Sequence, residues 1–96
     1  MYWILDKNKN AVEVDVVTWA KFFDKIENRI VEKTELNSCE VSTVFLGLDH
    51  GFGYAKKLLF ETMAFGGPND QEMFRYETWD EAVAGHAKAV RLNKDL

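Results

Sequence analysis

Val41-Ser42-Thr43-Val44-Phe45-Leu46-Gly47-Leu48 decides how this chain is read. β-branched and aromatic residues crowd it, and such residues suit the pleated, half-buried surface of a sheet. Its two faces are Ser42, Val44, Leu46, Leu48 and Val41, Thr43, Phe45, Gly47. Leu58 to Phe65 repeats the signal, with Leu58, Phe60, Thr62 and Ala64 on one face and Leu59, Glu61, Met63 and Phe65 on the other. Between the two strands runs a glycine-rich loop, Asp49-His50-Gly51-Phe52-Gly53, continuing to Lys56-Lys57. Upstream, Arg29 to Leu36 is β-branched and alternating, and Asn37-Ser38-Cys39-Glu40 follows as a turn, so a hairpin is the economical reading. Downstream, Gly66-Gly67-Pro68-Asn69-Asp70 is a turn holding the only proline, and Met73 to Glu77 is a short strand.

Helical patterns flank this block. Asp15 has the position of an N-cap, accepting from the free amides of a first turn. Val16, Trp19, Phe23 and Ile26 then recur at spacings of three and four, which predicts an amphipathic helix over Val16 to Glu27. Near the C-terminus, Thr78-Trp79-Asp80-Glu81 matches a capping box. Trp79, Val83, His86 and Val90 form the expected inner stripe of the helix that follows, with Ala82 and Ala87 beside it. Lys88, Arg91 and Lys94 suit its negative end. At the other end of the chain, Tyr2 to Leu5 and Ala11 to Val14 are short strands joined by the polar run 6–10.

The order is β-(β)-α-β-β-β-β-α. Helices and strands do not alternate, which argues against parallel β-α-β units. The expected fold is α+β: an antiparallel meander of about four to five strands packed by two amphipathic helices. Trp19, Phe23, Trp79 and Val83 are its expected core.

Ninety-six residues support one domain spanning 1–96. A hydrophobic content of 47% excludes a disordered chain. Twelve basic against 16 acidic residues, a net charge of −4, argue against a phosphate-backbone binder, so no direct nucleic-acid binding is expected. One cysteine allows no internal disulfide. No stretch is long and apolar enough for a membrane span, and a cytoplasmic location is expected.

The ionisable residues give weak chemical signals. There is no His-Glu-x-x-His, no paired Cys-x-x-Cys, and no phosphate-cradling glycine motif before a helix. Neither a metal nor a cofactor is called for. Asp49 and His50 sit where a strong strand meets a loop, a usual place to mount chemistry. With Glu61 and His86 they could form a small catalytic or metal-dependent site. A hydrogen-bonded core position is the commoner fate of a histidine on an apolar helical stripe. Cys39 beside Glu40 is a poor nucleophile, because a negative neighbour raises a thiol pKa.

The surface gives a stronger signal. Both faces of the two main strands are largely apolar, whereas a sheet with one wet face alternates cleanly. Two helices cover one face. The second must meet loop 49–57, the N-terminal hairpin, a second copy in a homodimer, or a partner. Asp49, His50, Phe52, Glu61 and Phe65 are the candidate binding residues.

The string Val41 to His50, then Leu59-Phe60-Glu61-Thr62-Met63 with Phe65-Gly66-Gly67, then Arg75 to Ala82 with Gly85-His86, resembles a group of small proteins encoded by tailed bacteriophages. The resemblance reaches Trp3 to Asp6 and so covers most of the chain. Members of that group often carry prolines before the strand at Leu58; this chain has Ala55-Lys56-Lys57 there. The resemblance implies a phage product acting in the cytoplasm of an infected bacterium, and it supplies no mechanism. Together with the small size and the surplus apolar surface, it sets the expectation of an accessory protein that binds a host protein without catalysis. An inhibitor of a bacterial defence system, such as an anti-CRISPR protein, is the sharpest form. A small enzyme or metal-dependent binder using Asp49, His50, Glu61 and His86 is the alternative.

Overall fold

A computed structural model describes residues 1–49 and 57–94. The chain runs β1 (Tyr2–Leu5), β2 (Ala11–Val14), α1 (Val16–Phe23), a 3-10 turn (Ile26–Asn28), β3 (Ile30–Glu35), β4 (Glu40–Phe45), β5 (Phe60–Phe65), β6 (Met73–Tyr76) and α2 (Trp79–Asn93). The last four strands form an antiparallel sheet in sequence order, and β1 pairs with β2 as a separate hairpin. The α+β meander expected from the residues is the fold found.

The hairpin forms because Asp6 organises its turn. Its Oδ1 accepts from the backbone amides of Asn8 and Asn10 at 2.8 and 3.0 Å. The hairpin then docks on the end of β4: the Trp3 amide donates to the Gly47 carbonyl at 2.9 Å, and Tyr2 bridges Leu48. Leu46 still donates to the Leu59 carbonyl at 2.7 Å, but Gly47 and Leu48 serve the hairpin, and the strand expected to run to Leu48 ends at Phe45. Gly47 has φ +71°, and a Cβ there would fall on the Phe23 ring, so only glycine lets the chain turn this close to α1.

Helix α1 is shorter than the expected 16–27. Its N-cap is as read, with Asp15 Oδ1 accepting from the Thr18 amide at 2.7 Å. It stops at Phe23 because Lys25 is extended and the Asn28 side chain donates to the Phe22 carbonyl, capping the open end. Ile26 leaves the apolar stripe and lies 61% exposed. The helix lies against β1 and reaches the sheet through Phe22 and Phe23, whose rings contact Phe45.

Helix α2 covers one face of the sheet, across all four strands. The side chains beneath it are Val41, Thr43, Phe45, Phe60, Thr62 and Ala64, each at most 4% exposed. The helix buries Ala82, His86, Ala89 and Asn93; of the expected stripe, His86 and the adjacent Ala82 are buried and Trp79 packs half-buried against the core, while Val83 turns outward. Val83 is 39% exposed. The physical reason is space: aromatic rings from the sheet and hairpin already fill the core, so the helix approaches on small residues. Where the sheet carries threonines, the helix brings a histidine to bond them.

Candidate functional site

Strand alternation leaves the opposite face of the sheet looking away from α2. Register places Ser42 opposite Met63, Val44 opposite Glu61, Glu61 opposite Arg75, and Met63 opposite Met73 on this face. No element of the described residues packs across its centre. The burial pattern reports the asymmetry: along β4 the inner residues are buried and the outer Glu40, Ser42 and Val44 are half-buried. Phe65 at 47%, Met73 at 45% and Ile30 at 39% exposure make it an apolar surface.

Ion pairs lie on the same face. Arg75 Nε donates to Glu61 Oε2 at 3.1 Å, with both side chains partly buried. Lys33 pairs with Glu40 at 3.6 Å near the other edge. The face is therefore mixed: Glu61 and Ser42 sit on its two central strands, and the exposed apolar side chains Ile30, Phe65 and Met73 lie towards its edges. A groove of about 420 Å³ runs from this face to α1 and the 3-10 turn, lined by Phe23, Arg29, Ile30, Lys33, Val44 and Leu46 among others.

The candidate residues fall in different places. Glu61 and Phe65 lie on the open face. Asp49 follows it at the strand end, its Oδ1 accepting from the Leu58 amide at 3.2 Å. His50 and Phe52 lie outside the described residues, as does most of loop 49–57, the expected cover for this face. His86 belongs to the other side of the sheet. Its Nδ1 lies 2.7 Å from Thr43 Oγ1 and its Nε2 2.8 Å from Thr34 Oγ1, and Thr43 meets Thr62 at 2.6 Å. Burial pushes its pKa below the ordinary value, and the Glu32 carboxylate, 3.7 Å from Nε2, pulls in the opposite direction.

Glu61 and His86 are thus separated by the sheet and do not assemble into one site. His86 is 1% exposed, with a hydroxyl on each ring nitrogen, so it offers no free atom to a substrate. It is the hydrogen-bonded core histidine that its apolar stripe suggested. No group of three or more metal-ligating side chains occurs among the described residues. Cys39 is free and buried, packed near Gly66 and Gly67.

Sequence reasoning missed the threonine chain and Arg29. Thr43 and Thr62 were detectable as polar residues on otherwise apolar strand faces. Arg29 has no such signal, because its setting depends on where the 3-10 turn places it. No helix among the described residues is long and apolar enough to cross a membrane. Comparison with protein-family models, curated proteins and solved structures found no match.

Proposed function

We propose that this chain is a phage-encoded accessory protein that acts by occupying a host protein in the bacterial cytoplasm, without chemistry of its own. The observation that carries the reading is the open sheet face. Val44, Met63, Phe65 and Met73 are apolar residues on a face that no described element crosses, and the Glu61–Arg75 and Lys33–Glu40 ion pairs lie among them. Contiguous apolar surface of this kind marks interaction sites. The phage resemblance supplies the setting, and inhibition of a bacterial defence system, such as CRISPR immunity, is the sharpest form of the proposal.

Two measurements test it. Tagged protein in bacterial lysate should capture one partner in stoichiometric amount, and Met63→Glu, on the open face, should release it without unfolding the chain. Expression of the chain should also restore phage plating on a host whose CRISPR immunity targets that phage. Capture of no defined partner sinks the binding reading. Capture without restored plating removes the anti-CRISPR form.

A further inference from the structure

The groove beside the open face has a basic head. Arg29 caps the 3-10 turn at the entry to β3, and its carbonyl accepts from the Phe45 amide at 2.7 Å, which fixes its backbone. Its guanidinium carbon lies 5.6 Å from the centre of the Phe23 ring. Its Nε is buried and has no hydrogen-bond partner among the described residues. A buried donor left unmade is costly, and more so on a charged group. The other cation of the groove, Lys33, is already engaged with Glu40. Among the described residues no carboxylate pairs with Arg29.

The rest of the lining is mainly apolar: Phe23, Ile30, Val44 and Leu46. Arg29 and Lys33 against Glu40 leave one positive charge in the groove, in a chain whose net charge is −4. A volume near 420 Å³ suits side chains, falling within the roughly 300–1,000 Å³ of ordinary ligand sites. A guanidinium binds a carboxylate through two parallel hydrogen bonds, and its planar fork makes that geometry selective. We propose that the groove takes an acidic segment of a partner protein, with a carboxylate on the two terminal nitrogens of the Arg29 guanidinium, since its Nε is closed to solvent, and a neighbouring apolar side chain against Val44 and Leu46. The inference rests on the protein-binding reading above and gives the partner its chemistry.

The test uses the full chain, isotopically labelled, and an acetylated, amidated peptide of alternating leucine and aspartate. A second peptide carries asparagine at every aspartate. The acidic peptide should shift the Arg29 Nε–Hε signal and the methyl signals of Ile30, Val44 and Leu46, and the shifts should saturate. The asparagine peptide should bind at least tenfold more weakly. Arg29→Gln should abolish that preference, and Arg29→Lys should retain part of it. Should Arg29→Gln fail to fold, Ile30→Glu at the groove's rim must weaken the acidic peptide by the same factor. Equal affinity for the two peptides, shifts confined to other surfaces, or an unchanged preference in Arg29→Gln would overturn the assignment. So would methyl shifts that follow protein concentration without peptide, since a second copy would then be the occupant. Peptide binding without capture of any host partner leaves the groove assigned and removes the host-protein reading. Host capture without peptide binding does the reverse.

Discussion

Thr43 Oγ1 and His86 Nδ1 lie 2.7 Å apart, 43 residues apart in sequence, and this contact ties α2 to the centre of the sheet. The chain of bonds continues to Thr34 on one side and Thr62 on the other. A neutral imidazole has one donor and one acceptor, and each hydroxyl can play either part, so the neutral ring satisfies the chain. A protonated ring has two donors, and Thr43 and Thr34 must then both accept.

Stability should therefore depend on pH through His86. Burial lowers its folded pKa below the unfolded value of 6.5. Between the two values the unfolded chain binds more protons, so stability rises with pH there. The contribution is complete above about 6.5 and is lost as pH falls below it towards the folded value. Urea midpoints from pH 8 to pH 5 should fall on the acid side. Glu32→Gln removes the charge that opposes the shift and should steepen the loss. A flat profile in both proteins would contradict this assignment.

The start of α2 should be sensitive to its cap. Thr78 Oγ1 accepts from the Glu81 amide at 3.1 Å, and Glu81 Oε1 accepts from the Thr78 amide at 3.2 Å. Thr78→Ala should cost about 1 kcal/mol, and Glu81→Ala less, because the Thr78 hydroxyl still accepts from the backbone amide of residue 81. Thermal melts of both variants check the order.

Gly85 sets helix propensity against packing. Alanine there should gain about 1 kcal/mol as a better helix former. Its Cβ, however, would fall on the ring and hydroxyl of Tyr76. Overpacking of this kind costs about 1–3 kcal/mol, so Gly85→Ala should destabilise the protein. In a Tyr76→Ala background the same change should stabilise it. Urea midpoints of the four proteins read both signs.

Truncations should rank by burial. Phe45 is 1% exposed and its ring contacts Phe22, Phe23 and Phe60. Phe45→Ala should cost about 3–5 kcal/mol. Trp19, half-buried against Tyr2 and Phe23, should cost less. Val83→Ala should change stability by no more than about 0.5 kcal/mol, as exposed positions do. A large loss at Val83 would return it to the core stripe.

The sequence by itself determined the elements, their order and the antiparallel pairing. Strand periodicity, the Asp15 and Thr78 caps and the Gly66–Asp70 turn are local effects, and local chemistry is written in neighbouring residues. Apolar character on both faces of the strands also announced that the face away from the helices needs a cover of its own, and most of loop 49–57, one candidate for it, lies outside the described residues. Tertiary structure alone decided the rest. It rotated α2 onto Ala82, His86, Ala89 and Asn93, because the depth at which a helix packs depends on rings supplied by distant segments. It ended β4 at Phe45, because the hairpin claims the Gly47 carbonyl. It put Glu61 and His86 on opposite sides of the sheet and, among the described residues, left the buried Nε of Arg29 without an acceptor beside an apolar groove. Such juxtapositions arise from how elements meet, and spacing along one element does not encode them.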